Sequence, residues 1–344
     1  MINRILIVGT GSAGNRHLYL AQNLFPEAEI KVLKLNKSEG DLENTEKTVR
    51  TLDEALKFKP QIAVIANPST FHVEVAMSLA SIGSHLLIEK PISNSIAKVS
   101  ELIALCRENN LVLMTGYNLR FLPSLISFKR FLDESYAGEI FSVRTDVGQY
   151  LPNWRPSRNY KNSVSASKSL GGGVILELSH ELDYLRWIFG EVEWVSGILT
   201  KQSNLEIDVE DTAHITLGIL ANETKKQIIV SANLDFIRHD STRICIAICE
   251  NGSLRWDGIL GEVAFMKAGS HTWEVIFSET VANDYTYRKE WENFINCVNQ
   301  DSSPLVTGTD GLRTLEIVEA IRESSKFSNR VFVTHSTMDS DRQL

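Results

Sequence analysis

The sequence predicts an α/β fold in which a doubly wound parallel sheet is followed by a second α/β domain. A short apolar run at residues 5–8 leads into glycines and a helical stretch, and strand and helix patterns then alternate to about residue 120. After Pro123 the pattern changes to β-like segments. Alternating βα units are typical of a parallel sheet covered by helices. The chain length of 344 residues fits about two domains.

The first domain is predicted to span residues 1–120. Its apolar runs indicate strands at 4–8, 29–35, 62–66, 85–89 and 111–115, with helices between them. Thr51 and Glu54 form a capping-box pattern at the start of one such helix. The run at 5–8 is apolar throughout, as expected for a strand buried on both faces of a parallel sheet.

The second domain is predicted to span residues 121–334, with a polar tail at 335–344. In the segment RICIAICE, alternation places Cys245, Ala247 and Cys249 on one face of a strand. We expect a largely antiparallel sheet, one face of it covered by helices at 124–135 and 174–188. The predicted strands are 139–149, 192–201, 212–220, 226–236, 242–250, 253–256 and 273–278, and further helices lie near 286–299 and 310–324.

Composition excludes several classes of protein. A net charge of −8 argues against general binding to nucleic acid or anionic membrane, which needs a basic surface. No apolar run approaches the roughly 20 residues of a membrane span, and the N-terminus enters a core strand without a signal-peptide pattern. The cysteines form no metal-spaced cluster, so no metal is expected. We expect Cys106, Cys245, Cys249 and Cys297 to be buried free thiols. Free thiols fit a reducing compartment, so we expect a cytoplasmic location for the protein.

The glycines that follow the first strand carry the first functional signal. Gly9, Gly11 and Gly14 match G-x-G-x-x-G, with Ser12 and Ala13 between the last two. In this motif one glycine makes the tight turn, one lets the backbone approach a pyrophosphate, and one lets the helix pack on the strand. The helix start then offers free N–H groups to phosphates. The strand–glycine–helix context predicts dinucleotide binding, and the alternative is a structural glycine turn.

The end of the second predicted strand bears on the choice between NAD and NADP. NAD sites usually place an acid there for the ribose 2′-hydroxyl. This chain has Lys34, Asn36 and Lys37, and no acid before Glu39. Basic and small polar groups suit a 2′-phosphate, so we favour NADP over NAD. The alternative is a solvated loop with ordinary lysines.

Two further segments predict the chemistry. Lys90, in Glu89-Lys90-Pro91, follows the fourth predicted strand, where ligands of an open α/β sheet lie. There a lysine hydrogen-bonds a substrate hydroxyl or carbonyl, or else it is a helix-entry lysine paired with Glu89. The glycine run 171–173 precedes a predicted helix in which Glu177, His180 and Tyr184 share a face. A histidine beside a carboxylate is a general acid/base arrangement.

These segments resemble one known family. GTGSAG, EKP and GGGVILELSHELD are similar to the glucose–fructose oxidoreductase / inositol dehydrogenase (Gfo/Idh/MocA) family, as are ANPSTFHVEVAMSLASIGSHLLIEKP and the domain-linking YNLRFLPS. VGQYLPNWRP with Tyr160 resembles a subgroup found among sugar-nucleotide and nonulosonate biosynthesis enzymes. The resemblance covers nearly the whole chain.

The resemblance implies a Rossmann domain followed by an α/β domain with an open sheet, through which a homodimer or homotetramer forms. It assigns catalysis to Lys90 and His180. The family acid maps onto Glu177, but many members have Asp four residues before the histidine, whereas Glu177 lies three before it. A role for Glu177 in contacting substrate or in orienting His180 therefore stays open. The resemblance also places five residues in the cofactor site: Asn67, Pro68, His72, Glu89 and Lys90.

Hydrogen-bonding aromatics and arginines between the domains indicate a sugar-like substrate. Aromatic faces cover C–H surfaces, and planar donors hold hydroxyls, carboxylates or phosphates. The alternative is a polar interdomain surface, and Arg120 is open to a structural pair with an acid. The residues are Tyr117, Arg120, Tyr150, Trp154, Arg155, Arg158 and Tyr160.

The sequence therefore predicts an NAD(P)-dependent oxidoreductase that moves hydride between nicotinamide and a carbinol or ketone of a sugar, a nucleotide-linked sugar or a sugar acid. His180 takes the hydroxyl proton and Lys90 stabilises the developing alkoxide. Two alternatives come from other classes: a catalytically silent nucleotide-sensing regulator of the same fold, and a redox-assisted glycoside hydrolase. Fold alone does not separate these, because function lies in the site.

Overall fold

A computed structural model describes residues 2–34, 47–221 and 226–336 of the chain. These residues form two compact units. The first lies within Met1–Tyr117 and Thr286–Leu315, together with Ser336, and the second lies within Asn118–Tyr285 and Glu316–His335. The chain therefore returns to the first unit after completing most of the second.

Among its described residues, the first unit contains a parallel sheet of six strands in the order β3-β2-β1-β4-β5-β6. The predicted doubly wound sheet is confirmed. The strands are β1 Arg4–Val8, β2 Glu29–Leu33, β3 Thr48–Val49, β4 Ile62–Ile65, β5 His85–Glu89 and β6 Leu113–Gly116. The helices are α1 Ser12–Leu24, α2 Leu52–Phe58, α3 His72–Ala80 and α4 Val99–Glu108.

Each of the five strands predicted for this unit is present, and two details differ. The two-residue edge strand β3 was not predicted, because two residues are too few to show a periodic pattern. The last strand begins at Leu113 rather than 111, because the Leu111 N–H instead donates to the Cys106 carbonyl and closes the end of α4.

Two helices show where local sequence signals hold. The Thr51 hydroxyl accepts a hydrogen bond from the Glu54 N–H at 3.2 Å, so the predicted cap of α2 is confirmed. The predicted helical stretch after the glycines is α1, and its buried face carries Gly14, His17, Leu20 and Ala21.

The second unit contains, among its described residues, a sheet of nine strands in the order β14-β13-β12-β11-β7-β10-β9-β8-β15. All neighbouring strands are antiparallel except β7 and β10. The strands are β7 Ile140–Gly148, β8 Gly190–Thr200, β9 Thr212–Ala221, β10 Gln227–Asp235, β11 Thr242–Cys249, β12 Gly252–Asp257, β13 Glu262–Lys267, β14 Glu274–Ser278 and β15 Val331–Phe332.

Helices cover one face of this sheet, as predicted. The helix α5, Pro123–Asp133, packs on β12 and β13. The predicted single helix at 174–188 is wrong, because the chain is interrupted at Leu178 and Ser179 into α6, Val174–Glu177, and α7, His180–Phe189. The strands β13 and β15 were also missed. Cys245, Ala247 and Cys249 are buried together on β11, and all four cysteines are buried free thiols, as expected.

The last helices are α8, Tyr285–Gln300, and α9, Gly308–Phe327. Apart from Tyr285, α8 belongs to the first unit, whereas the boundary between the units falls within α9. No helix in the described ranges is long and apolar enough to cross a membrane. Most of the predicted tail, residues 337–344, lies outside the described residues.

Candidate active site

The glycine loop between β1 and α1 is shaped by close backbone contacts. Gly9 has φ +98°, and a Cβ placed there would lie 2.7 Å from the Ala66 carbonyl oxygen. A Cβ on Gly14 would lie 2.2 Å from the Gly9 carbonyl oxygen. A Cβ on Gly11, in contrast, would have no atom within 4 Å. Gly9 and Gly14 are therefore required for packing, whereas Gly11 borders open space.

The same edge of the sheet has the polar groups that a dinucleotide needs. Helix α1 begins at Ser12, with Ala13 in its first turn, and its cap residue Gly11 leaves the first N–H groups without a side-chain acceptor. In the loop after β4, the side-chain oxygen and nitrogen of Asn67 and the hydroxyls of Ser69 and Thr70 are buried without hydrogen-bond partners among the described residues. Buried polar groups are normally paired, so these atoms fit a bound polar ligand.

His72 connects the loops that follow β4 and β5. Its Nε2 lies 2.7 Å from the Asn67 carbonyl oxygen, and its Nδ1 lies 3.0 Å from the Pro91 carbonyl oxygen. Burial lowers the pKa of His72, and hydrogen bonds to backbone oppose this shift only in part. A neutral ring donates to one of the two carbonyls. His72 therefore holds the loop of Asn67 and Pro68 beside the Lys90-Pro91 segment from a buried position.

The residues expected to choose between NAD and NADP are only partly described. Lys34 directly follows β2, is half-buried, and its N–H donates to the Val49 carbonyl oxygen at 3.1 Å. Asn36 and Lys37 lie outside the described residues, as does Glu39.

Glu89 and Lys90 end β5 at the same edge. Glu89 is buried, and its Oε2 accepts the Lys90 N–H at 3.2 Å. Burial raises the pKa of Glu89. The hydrogen bond from His17 and the nearby charge of Lys90 lower the pKa by more than burial raises it, so the net shift is downward. The Lys90 side chain is half-buried. A lysine in this place has the reach and partial desolvation that suit a hydrogen bond to a substrate oxygen.

In the second unit, the three glycines let the chain turn sharply into α6. Gly171 and Gly173 have φ of +81° and +108°. A Cβ on Gly173 would lie 2.3 Å from a carboxylate oxygen of Glu210, and one on Gly172 would lie 2.2 Å from the Val164 carbonyl oxygen. The Val174 N–H donates to the Glu210 carbonyl oxygen. These contacts position the short helix that ends at Glu177.

His180 and Glu177 stand on either side of the break in the helix. Glu177 is the last residue of α6 and His180 the first of α7, and both are half-buried. Tyr184 lies four residues after His180 in α7, whereas Glu177 lies on α6, so the break interrupts the single helical face predicted for the three residues. Tyr184 is fully buried, and its hydroxyl lies 2.6 Å from that of Thr145 on β7. It serves the packing of α7 on the sheet.

Two buried ion pairs anchor the first turns of α7. The Arg120 guanidinium donates to both carboxylate oxygens of Asp183, at 3.0 and 2.6 Å, and both side chains are almost fully buried. Arg243 donates to the buried Glu181 at 2.8 Å. Bidentate guanidinium–carboxylate pairs are directional, so the backbone that presents His180 is held in place. For Arg120 the structure shows the pairing with an acid that the sequence left open.

The other residues expected to bind substrate differ in how exposed they are. Tyr117 is fully buried. The Trp154 indole N–H donates to the Gln149 carbonyl oxygen at 3.0 Å, and Trp154 is half-buried. The Tyr150 ring lies against His239, with centroids 4.3 Å apart. The Tyr160 hydroxyl accepts the Glu206 N–H, and Arg155 and Arg158 are exposed.

Sequence reasoning missed several of these residues. His17, which contacts Glu89, lies three positions after Gly14 on the buried face of α1, and that spacing was a usable signal. Trp291 donates to His17 across 274 residues, a separation at which no local pattern links them. The sequence showed Asp183 only as one of two acids at the start of a helix, with nothing to link it to Arg120. Ser69 and Thr70 gave no signal apart from their place in a loop.

Comparison with known proteins identifies the family. A model of the oxidoreductase family's NAD-binding Rossmann fold matches residues 3–117, and a model of its C-terminal alpha/beta domain matches residues 129–333. The chain belongs to the Gfo/Idh/MocA oxidoreductase family. The resemblance stated from the glycine, EKP and histidine segments is thereby confirmed at the level of the family.

Among curated relatives, levoglucosan dehydrogenase of Pseudarthrobacter phenanthrenivorans is 30% identical over 138 residues, which are 40% of this chain and 35% of that protein. The uncharacterized oxidoreductase YrbE of Bacillus subtilis is 24% identical, and the alignment covers 96% of each chain. The first of these matches thus spans about a third of the relative's length.

Solved structures show the same fold. Levoglucosan dehydrogenase in complex with NADH has a TM-score of 0.81 at 20% identity, covering 97% of this chain and 100% of that one. The WlbA dehydrogenase from Bordetella pertussis, in complex with NADH and UDP-GlcNAcA, has a TM-score of 0.78 at 20% identity, covering 98% and 100%. At this identity the likeness extends to the fold of the Gfo/Idh/MocA chain and not to its substrate.

Proposed function

We propose that this Gfo/Idh/MocA protein is an NAD(P)-dependent dehydrogenase or reductase acting on a CH–OH group of a sugar or sugar derivative. Two observations at the edge of the parallel sheet carry the proposal: a Cβ on Gly11 would meet no atom of the described residues within 4 Å, and buried polar atoms of Asn67, Ser69 and Thr70 have no hydrogen-bond partner among those residues. Gly9 to Gly14 and the start of α1 would hold the pyrophosphate. A bound nicotinamide supplies or accepts the hydride.

The chain's own residues would handle the proton. In oxidation, His180 would take the proton of the substrate hydroxyl, and Lys90 would donate a hydrogen bond to the oxygen as negative charge develops on it. In reduction the same groups act in reverse. Glu177 would orient His180 or contact the substrate. The buried pairs of Asp183 and Glu181 support this role, because they fix the helix that begins at His180.

The substrate is proposed to be a nucleotide-linked or acidic sugar. Support comes from the exposed Arg155, the partly exposed Trp154 ring, Tyr150 and Tyr160 on the segment after β7. Aromatic faces suit sugar C–H surfaces, and an exposed guanidinium suits a carboxylate or phosphate. The WlbA complex contains a nucleotide-linked sugar acid, and it is a relative in fold.

A second copy of the chain is the proposed partner. The face of the second unit's sheet opposite its helices carries Ile198 and Ile229, which are 61% and 39% exposed, and the half-buried Ile244 and Ile246. Polar residues, among them Asp146, Asn233 and His214, lie between these isoleucines, and such a mixture of apolar and polar groups is usual at interfaces between protein partners. We propose that this face forms a homodimer or homotetramer.

A substrate panel assayed with each dinucleotide tests the proposal. We expect the nicotinamide absorbance to change with at least one nucleotide-linked sugar or sugar acid. NADP should bind more tightly than NAD at fixed ionic strength, by about tenfold, the scale of one charged hydrogen bond. Replacing Lys34 and Lys37 by Ala should remove that preference, whereas Lys57→Ala, on the exposed side of α2, should keep it.

The outcomes separate the parts of the proposal. If the protein turns over a sugar but binds NAD more tightly than NADP, the oxidoreductase activity stands, and the proposed role of Lys34 and Lys37 in binding a 2′-phosphate is rejected. Binding of dinucleotide without turnover of any sugar on a broad panel would contradict the enzyme and favour a sensor of the same fold.

A further inference from the structure

A buried chain of hydrogen bonds joins α1, β5 and α8 inside the first unit. His17 is fully buried, and its Nε2 lies 2.9 Å from Oε1 of Glu89. The Trp291 indole N–H donates to Nδ1 of the same ring at 3.0 Å. The proton chemistry assigned to Lys90 and His180 does not use this chain of three residues.

Donor and acceptor chemistry determines where the protons lie. An indole N–H only donates, so Nδ1 of His17 must accept. The His17 proton therefore resides on Nε2 and is donated to the Glu89 carboxylate. A second proton on the ring would point an N–H at the indole N–H. Trp291 thus keeps His17 neutral, and the His17–Glu89 pair retains the full negative charge of Glu89.

Ionisable groups near His17 lie on α1, at the end of β5 and on α8. On α8, burial and the charge of Glu89 raise the pKa of Glu290 well above its usual range, and burial raises the pKa of Tyr287. Both shifts favour the neutral form of these groups. The nearby cations are Arg16 on α1 and Lys90 after β5. The Arg16 guanidinium lies 4.4 Å from the Tyr287 ring centroid. Of the two buried carboxyls, Glu89 carries the charge.

Glu89 lies where that charge acts on a ligand. It is the last residue of β5, and ligands of an open parallel sheet bind beyond the carboxyl ends of the strands. With the pyrophosphate at the β1–α1 turn, the strand ends of β4 and β5 would hold the nicotinamide half. The oxidised nicotinamide ring carries a positive charge, and the reduced ring is neutral.

We propose that Glu89, kept unneutralised by the His17–Trp291 hydrogen bonds, makes the site bind the oxidised dinucleotide in preference to the reduced one. The inference rests on the proposed function. By linkage, the ratio of the two affinities also shifts the equilibrium on the enzyme, from bound reduced dinucleotide with ketone towards bound oxidised dinucleotide with alcohol. Reduction of a keto-sugar is then the favoured direction: the carbonyl carbon receives hydride and its two electrons from the reduced nicotinamide, and the carbonyl oxygen receives a proton from His180.

The ratio of two dissociation constants, reduced over oxidised, tests the inference by calorimetry without turnover. We expect Glu89→Gln to lower this ratio on the order of tenfold, because one full charge is removed near the ring. Arg16 and Lys90 are unchanged in the comparison. Trp291→Phe keeps an aromatic ring but frees Nδ1 of His17. Its ratio should move from the wild-type value towards that of Glu89→Gln as the pH is lowered, because a second proton on the freed Nδ1 would neutralise the His17–Glu89 pair.

Glu290→Gln is the matched control, because it removes a second buried carboxyl of the same cluster that carries no charge. Its ratio should equal the wild-type ratio. The inference is overturned if Glu89→Gln leaves the ratio unchanged, if Glu290→Gln lowers it equally, or if the Trp291→Phe ratio does not vary with pH. Failure of the wild type to bind either dinucleotide would instead reject the proposed function itself.

Discussion

Lys90→Met and His180→Asn are each expected to reduce kcat by about 10²-fold or more, the usual scale for removing a positioned acid/base group. Cofactor binding should persist in both variants, because neither residue belongs to the glycine loop. The two groups are assigned to the same substrate oxygen. Their combined loss should therefore be smaller than the product of the single losses, as for residues that act as a unit.

Two exposed residues supply matched controls for these kinetics. Lys57→Met on α2 and His271→Asn near the start of β14 make the same chemical changes at exposed positions, and near-normal kcat is expected in both. A Lys90 or His180 variant that retains near-normal kcat on the true substrate would contradict the role assigned to that residue. Losses that multiply in the double variant would contradict a shared oxygen.

Asp183→Asn is expected to lower the free energy of unfolding by about 3–5 kcal/mol, the scale for breaking a buried ion pair by removing one partner. The side chains of Arg120 and Asp183 are 4% and 1% exposed, so a buried guanidinium would lose the carboxylate charge with which it forms its bidentate pair. Urea unfolding at pH 7 measures this change. Replacing both residues, Arg120→Met with Asp183→Leu, should recover much of the loss, because no buried charge then remains.

Asp133→Asn provides the comparison for a surface pair. Asp133 meets Lys129 at 2.7 Å, one turn away on α5, with a side chain that is 53% exposed. Surface pairs contribute about 0–1 kcal/mol, so this variant should unfold nearly as the wild type does. An Asp183→Asn loss no larger than that of Asp133→Asn would show that the pair does not anchor α7.

Local patterns were sufficient for most of the fold. Continuous apolar runs predicted the buried strands of the parallel sheet, and the alternation in 242–250 identified the buried face of β11. Prediction failed where the pattern was too short, as in the two-residue strands β3 and β15. It also failed at α6 and α7, because the chain breaks at Leu178 and Ser179, where neither Gly nor Pro marks a helix end in the sequence.

The site was predictable only in part, for a related reason. Residues in motifs at strand ends, such as Gly11 and Lys90, are placed by the rules of parallel sheets. The partners that support them come from distant segments: Trp291 reaches His17, and Arg120 reaches Asp183. Hydrogen bonds between such segments leave no periodic signal in a single sequence. The same limit explains why Arg120 was first assigned to substrate.

Titration of dinucleotide into the Gly11→Val variant tests the central claim most directly. Gly11 has φ −68°, which any residue adopts, and a Cβ there meets no atom of residues 2–34, 47–221 and 226–336 within 4 Å, so the variant should fold normally. Its side chain would occupy the space assigned to the pyrophosphate. Ser81→Val, an exposed change at the end of α3, serves as the control. We expect calorimetry to show dinucleotide binding in the wild type and in Ser81→Val, and none in Gly11→Val. Unchanged affinity in Gly11→Val would contradict a cofactor site at the glycine loop.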